Sequence, residues 1–292
     1  MSLEFGQDSL LTLAAVVREG TFDAAAETLH ITPSAVSQRI KALEAQVGRV
    51  VVRRTKPVTA TADGQILVRL ARQWELLTAE AHTELLGGSG DRIHLPIAAN
   101  ADSLATWLLP VLAELHRDHA VAVEVMRDDE TRNTEFLRSG EVLGAITSVP
   151  ADIRGCTVVS LGTMRYLPVA TPEFVEQYFP DGADGQSLRR APVIRFDRSD
   201  HLQFASIAAA VGGHIDPPTV YIPASVEFHR AVELGIGWGT VPSEQATPAL
   251  AAGRLVRLPM EPVDVPLYWQ YWKLSSPVLH SLTQLMVAAR RG

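Results

Sequence analysis

The chain is predicted to be an α/β protein with an N-terminal winged helix-turn-helix, a long linker helix and a two-lobed C-terminal region. Three observations predict it. Residues 21–47 hold two helical patterns split by a tight turn and followed by a basic β-hairpin. Residues 63–86 run without Gly or Pro after Gly64, with apolar positions three and four apart. From Arg92 onward, short apolar runs alternate with helical segments, the pattern of a mostly parallel sheet covered by helices.

The N-terminal unit, residues 1–62, starts with a helix over 9–19 that places Leu10, Leu13, Ala14 and Val17 on one face and stops at Gly20. Thr21 is an N-cap for a second helix with Phe22, Ala25, Ala26 and Leu29 apolar. Thr32 caps a third, with Pro33 at its first position, where a missing N–H costs nothing. Val36, Ile40, Leu43 and Val47 then form its buried stripe. Its other face carries Ser34, Ser37, Gln38 and Lys41, with Arg39 beside it. Short hydrogen-bonding side chains near a helix N-terminus, with cations a turn later, are what a helix needs to meet base edges and phosphates. Val50–Val52 is a short strand, and Arg53, Arg54, Thr55, Lys56 and Pro57 make a cationic hairpin tip. Between Pro33 and Pro57 the cations are Arg39, Lys41, Arg49, Arg53, Arg54 and Lys56, against one acid, Glu44, in a chain of net charge −7. A basic island in an acidic protein implies double-stranded DNA as the partner, held by Thr32, Ser34, Ser37, Gln38, Arg39, Lys41, Arg53, Arg54 and Lys56.

The linker, residues 63–90, presents Ile66, Leu70, Trp74 and Leu77, continued by Ala81 and Leu85, as a coiled-coil-like seam. Such a seam is covered either by a second copy of the chain or by the chain's own domains; the first reading gives a homodimer or homotetramer. Gly87–Gly88–Ser89–Gly90 ends the helix.

Residues 91–292 form the C-terminal region, with one lobe at about 91–165 and 267–292 and the other at about 166–266. In the segment 97–110 a strand ends at Ala99 and a helix begins around Ser103, with Asp102 or Ser103 capping it. A helix start after a strand suits a carboxylate ligand, and it equally suits a plain cap. Asp128, Asp129 and Glu130 follow a strand, at the end where open α/β sheets bind ligands; they are either an anionic subsite or a solvated acidic loop. Thr147 and Ser148 end a third strand, and Asp197 and Thr240 occupy comparable strand ends in the second lobe.

Other chemistry is excluded on motif grounds. Gly235–Gly239 is not GxGxxG, and neither GxxxxGK[ST] nor GxSxG occurs. His116 and His119 lack a third ligand at a recognisable spacing. No enzymatic activity, metal or cofactor is expected. The single Cys156 reads as a structural thiol. The N-terminus lacks an export-signal pattern and no apolar run reaches the roughly 20 residues of a membrane span, so a cytoplasmic location is expected.

The run from Ala24 to Arg54 and the segment TATADGQILV at 59–68 resemble the winged helix-turn-helix of LysR-type transcriptional regulators. NADSLATW at 100–107, GTMRYLPVATPEF at 162–174 and PLYWQYW at 266–272 extend the resemblance over nearly the whole chain, toward the ArgP/LysG branch that regulates lysine and arginine export. The resemblance implies a periplasmic-binding-protein-like effector domain, no cofactor, and L-lysine or L-arginine as small-molecule effector. It makes Asp102 and Ser103 the opening of the effector site, to which the strand-end argument adds Asp128, Asp129, Glu130, Thr147, Ser148, Asp197 and Thr240 as effector candidates. It also implies control, usually activation, of an exporter gene, with RNA polymerase as a further partner. The alternative reading is an effector-independent architectural DNA binder acting as an inhibitor of replication initiation.

Overall fold

The computed structural model describes residues 5–86, 92–127, 130–151 and 153–291. Three helices open the chain: α1 (Gln7–Glu19), α2 (Phe22–Thr28) and α3 (Pro33–Val47). The capping signals act as expected. Thr21 accepts from the Ala24 N–H at 3.1 Å and Thr32 from the Ala35 N–H at 3.2 Å, and Gly20 and Gly48 close α1 and α3 in left-handed backbone. Val36, Ile40 and Leu43 are wholly buried, whereas Val47 is only half-buried and Val16 replaces Val17 in the core of α1. The wing is β1 (Val52–Arg53) paired antiparallel with β2 (Thr59–Ala60). Its strand starts two residues later than Val50 because Glu44 reaches across to accept the Val51 N–H at 3.0 Å. The lone acid of the basic island thus anchors the wing.

Helix α4 (Ala62–Leu86) has two apolar faces. One carries Leu67, Val68 and Ala71 into the core of the head, then Leu76 into the core of the first lobe. Its Glu80 accepts from Ser276 Oγ at 2.6 Å and the Val278 N–H at 3.1 Å, so it caps the last helix, α13 (Pro277–Arg291). The other face is the seam. Ile66, Leu70, Trp74 and Leu77 remain 38–53 % exposed. Sequence periodicity showed this second face and missed the first.

Beyond the linker lies a mixed sheet of order β10-β6-β11-β5-β3-β4, with β9 paired to β6. The expected mostly parallel sheet holds in part. β3 (Ile93–Ala99) runs parallel to β4 (Val121–Arg127) and to β5 (Gly144–Thr147). Two long antiparallel strands then change its character. β6 (Cys156–Ala170) and β11 (Val263–Trp272) pair along most of their length. In the second lobe β6 also pairs antiparallel with β9 (Gly239–Pro242) and β10 (Val256–Arg257), while β7 (Val193–Arg195) and β8 (Thr219–Tyr221) pair parallel. Near the middle of the long pair, Leu161 and Gly162 of β6 face the single residue Leu267 of β11, a bulge that Gly162 accommodates at φ +79°. Cys156 starts β6 half-buried, and burial pushes its thiol up to about 12, so it stays protonated as a structural thiol would.

Helices complete the layers. A helical stretch made of α5 (Ala101–Ser103), a π-helical turn (Leu104–Leu108) and α6 (Leu109–Asp118) packs with α13 over the first lobe. Helix α7 (Glu130–Ser139) lies against β5, β3 and α4. The second lobe carries α8 (Pro172–Tyr178), α9 (Gly185–Arg190), α10 (Leu202–Val211), α11 (Ser225–Glu233) and α12 (Ser243–Ala251). The linker helix docks closely on the first lobe. A Cβ on Gly140 would fall 2.5 Å from Arg69 Cα, and the Arg69 guanidinium lies 4.6 Å from the Trp272 ring centroid. Among the described residues, no helix is long and apolar enough to cross a membrane.

Trp269 is fully buried and its indole N–H donates to Thr283 Oγ1 at 2.9 Å. Gly144 leaves the space its ring fills, since a Cβ there would meet Trp269 Cη2 at 2.1 Å. Gly144→Ala is expected to destabilise the protein by about 1–3 kcal/mol through overpacking, read as a lower midpoint in chemical denaturation. An unchanged midpoint would show that the ring is free to move aside.

Candidate functional site: an interlobe cleft and a cationic head

The head displays the polar face of α3. Thr32 Oγ1 lies 3.0 Å from Ser34 Oγ while capping the helix, and Ser34, Gln38 and Lys41 are exposed, with Ser37 half-buried. Arg39 is less free than its position suggests. Its guanidinium donates to Asp8 Oδ2 at 2.9 Å and to Thr12 at 3.4 Å, tying α3 to α1. Arg49 is likewise paired, with Asp63 at 2.9 Å. Among the described residues no salt bridge engages Lys41, Arg53, Arg54 or Lys56, and all four are exposed. Arg54 lies 5.2 Å from the Phe22 ring centroid, so the wing folds back on α2. Arg53 borders a hollow between wing and first lobe that also holds Glu135 and Glu141.

The second site is a cleft of about 660 Å³ between the two lobes. From the first lobe it is lined by Asn100, Asp102 and Arg127, from the long strands by Tyr166 and Val265. The second lobe adds Asp197, Asp200, Gln203, Ser225 and Thr240. Of the residues singled out in the sequence, the structure therefore brings together Asp102, Asp197 and Thr240. Asn100, rather than Asp102 or Ser103, caps the helix: its side chain accepts the Ser103 N–H at 2.9 Å. Ser103 lies buried behind the cleft wall, and its hydroxyl has no partner among the described residues. Thr147 is drawn away by Gln270, which donates to its hydroxyl, and it donates in turn to the Val149 carbonyl at 3.0 Å. Ser148 is buried beside it, and neither borders the cleft. Asp128 and Asp129 fall outside the described residues, as does the side chain of Glu130, the first residue of α7.

Asp102 is held in the first turn of α5 and accepts from Tyr166 Oη at 2.8 Å. Burial pushes its carboxyl above the ordinary value of 3.8, an effect opposed by hydrogen bonds from Ser225 and Tyr166 and reinforced by the charges of Asp200 and Glu244. Asp197 behaves oppositely. Burial raises it, but the hydroxyl and N–H of Ser199 and the Asp200 N–H outweigh that and hold it low. Asp200 accepts the Phe196 and Leu202 N–H groups at 2.9 and 3.0 Å, which folds the loop back into α10.

The buried Arg195 fixes the same loop from below. It donates to the carbonyls of Arg198 and Asp200 and lies 4.5 Å from the Phe204 ring centroid. Sequence reasoning found Asp197 and missed Arg195 and Asp200, although the run RFDRSD held the signal, and it missed Gln203, which lies outside that run. The buried polar atoms of Gln203 and Thr240 are without partners among the described residues.

Comparison with known proteins identifies the family of both regions. Residues 7–65 match the family described as bacterial regulatory helix-turn-helix protein, lysR family, and residues 88–289 match the LysR substrate binding domain. The chain belongs to the LysR family. It is 47 % identical over 282 residues to the lysine export transcriptional regulatory protein LysG of Corynebacterium efficiens, covering 96 % of both chains. The crystal structure of ArgP from Mycobacterium tuberculosis superposes with a TM-score of 0.87 at 45 % identity, covering 97 % of each chain. Full-length LysG of Corynebacterium glutamicum with bound effector Arg gives 0.79 at 41 % identity over 98 % of each. This LysR-family chain is accordingly a LysG/ArgP-like transcriptional regulator and not an enzyme.

Arg53→Ala and Arg54→Ala should each weaken binding to operator and to random DNA together. Removing one phosphate contact should lower the log–log salt slope by about one. An unchanged slope in both variants would remove the wing from the DNA interface.

Proposed function

We propose that this regulator senses a basic amino acid, lysine or arginine, in the interlobe cleft and that it activates a gene for a basic-amino-acid exporter. The observation that carries the reading is the charge of the cleft. Asp102, Asp197 and Asp200 line it against the single exposed arginine Arg127, so it favours a ligand of net positive charge. The arginine held as effector by the C. glutamicum relative supports it. The DNA contacts proposed are the exposed face of α3 and the wing, while Arg39 acts through its tie to α1. Regulation requires the effector to bind one arrangement of the heads better than another.

Burial of Asp102 gives the reading a pH signature. In the ligand-free protein a raised carboxyl retains its proton to higher pH, and its contribution to stability is present at low pH and lost as pH climbs through the raised value. A cationic ligand favours the carboxylate. Binding therefore releases a proton while the carboxyl is still protonated, and affinity strengthens as pH rises through its raised value. Titration calorimetry with lysine, arginine and norleucine, in two buffers of different ionisation heat, tests this. Lysine or arginine should bind with proton release that Asp102→Asn abolishes, and norleucine should bind at least tenfold more weakly. Norleucine binding as tightly as lysine would sink the basic-amino-acid assignment. DNA binding indifferent to both amino acids would favour the architectural reading.

The exposed seam of α4 is proposed as the homodimer contact, since four large apolar side chains in one stripe are left uncovered by the chain itself. Leu70→Asp with Leu77→Asp should place two carboxylates in that contact and give a monomer with poor operator affinity. Sedimentation showing an intact dimer would assign the association elsewhere.

A further inference from the structure

Gln203 is the most anomalous polar group in the cleft. It is 1 % exposed, it borders the cleft from the first turn of α10, and neither its amide nitrogen nor its amide oxygen has a partner among the described residues. A buried primary amide offers two donors and an acceptor, and leaving all of them unmade is costly enough that most such groups find partners. Thr240, 3 % exposed and on β9 against which α10 packs, presents a second unpartnered hydroxyl to the same space. These two are neutral donors. The acids nearby are not suited to a carboxylate: Asp197 and Asp200 are engaged by backbone N–H groups, and Asp102 stands at the opening of α5. A ligand carboxylate is repelled by all three and accepted by Gln203 and Thr240, at a helix N-terminus whose partial positive charge favours it.

Resting on the amino-acid reading above, we propose that Gln203, with Thr240, receives the α-carboxylate of the effector from the second lobe and so fixes its direction across the cleft, with the cationic tail toward Asp102. Gln203 is then a specificity residue for amino acids over the corresponding amines. The unmade hydrogen bonds of the ligand-free cleft become the contacts that hold the lobes together around the ligand.

The test uses the full-length protein, with arginine and with agmatine, which is arginine without its carboxylate. In the wild type, arginine should bind more tightly than agmatine. Gln203→Met preserves volume and removes the unpartnered amide. It should bind arginine ten- to a hundredfold more weakly and leave agmatine unchanged, while the ligand-free protein melts no lower than wild type. A residue with a merely structural role would instead lower the melting temperature and weaken both ligands alike. Should the Met variant fail to fold, Gln203→Asn, which withdraws the amide by one methylene, is read in the same way. Arginine binding within twofold of wild type, or equal losses for arginine and agmatine, overturns the assignment of Gln203 alone. A wild-type protein that binds neither arginine nor lysine overturns the amino-acid reading, and this inference with it.

Discussion

The antiparallel pairing of β6 with β11 is the constraint on which the effector domain depends. Both strands run from the first lobe into the second, so the chain crosses the junction twice and the lobes share one continuous piece of sheet. The pair is braced at its surface by Arg165 and Asp264, register partners joined by two hydrogen bonds of 2.8 and 2.7 Å. Tyr166 and Val265 place the cleft floor on these same strands, and Tyr166 reaches Asp102 in the first lobe. The bulge at Gly162 lies within a few residues of Tyr166, which lines the cleft.

The polar design of the cleft divides into two kinds of group. Arg195, Asp197 and Asp200 are satisfied by neighbouring groups of residues 196–202, and so they hold that loop in place. Asp102, Gln203 and Thr240 are incompletely satisfied: one carboxyl is pushed toward its neutral form and two side chains are left without partners among the described residues. A rigid frame around a polar, unsatisfied interior sets a stability cost that a complementary ligand recovers on binding.

What the sequence made legible follows the range of the interactions. The head was readable almost residue by residue because Thr21, Thr32, Gly20 and Gly48 act within a turn of themselves. The exposed seam of α4 was readable for the same reason. Its buried face was not, because Leu67 and Leu76 are recognised only by cores assembled from distant segments. Asp102, Asp197 and Thr240 were found because strand ends converge in open sheets, yet Thr147 satisfied the same rule and was claimed by Gln270, 123 residues away. Gln203 carried no local signal. Its significance lies in partners it lacks, which only the packed lobes reveal.

Helix α4 carries a consequence for dividing the protein into parts. Its first turns complete the head, its middle supplies Leu76 to the effector-domain core, and Glu80 caps the terminal helix. A fragment beginning at Arg92 leaves the start of α13 without that acceptor and opens a gap where Leu76 sat. A fragment that keeps the whole helix retains both, at the cost of exposing Leu67, Val68 and Ala71 alongside the bare seam. Every cut within residues 62–86 separates some of these side chains from the core they pack against or the helix they cap. The border between the helix-turn-helix head and the LysR substrate-binding domain is, in this chain, a single shared piece of secondary structure.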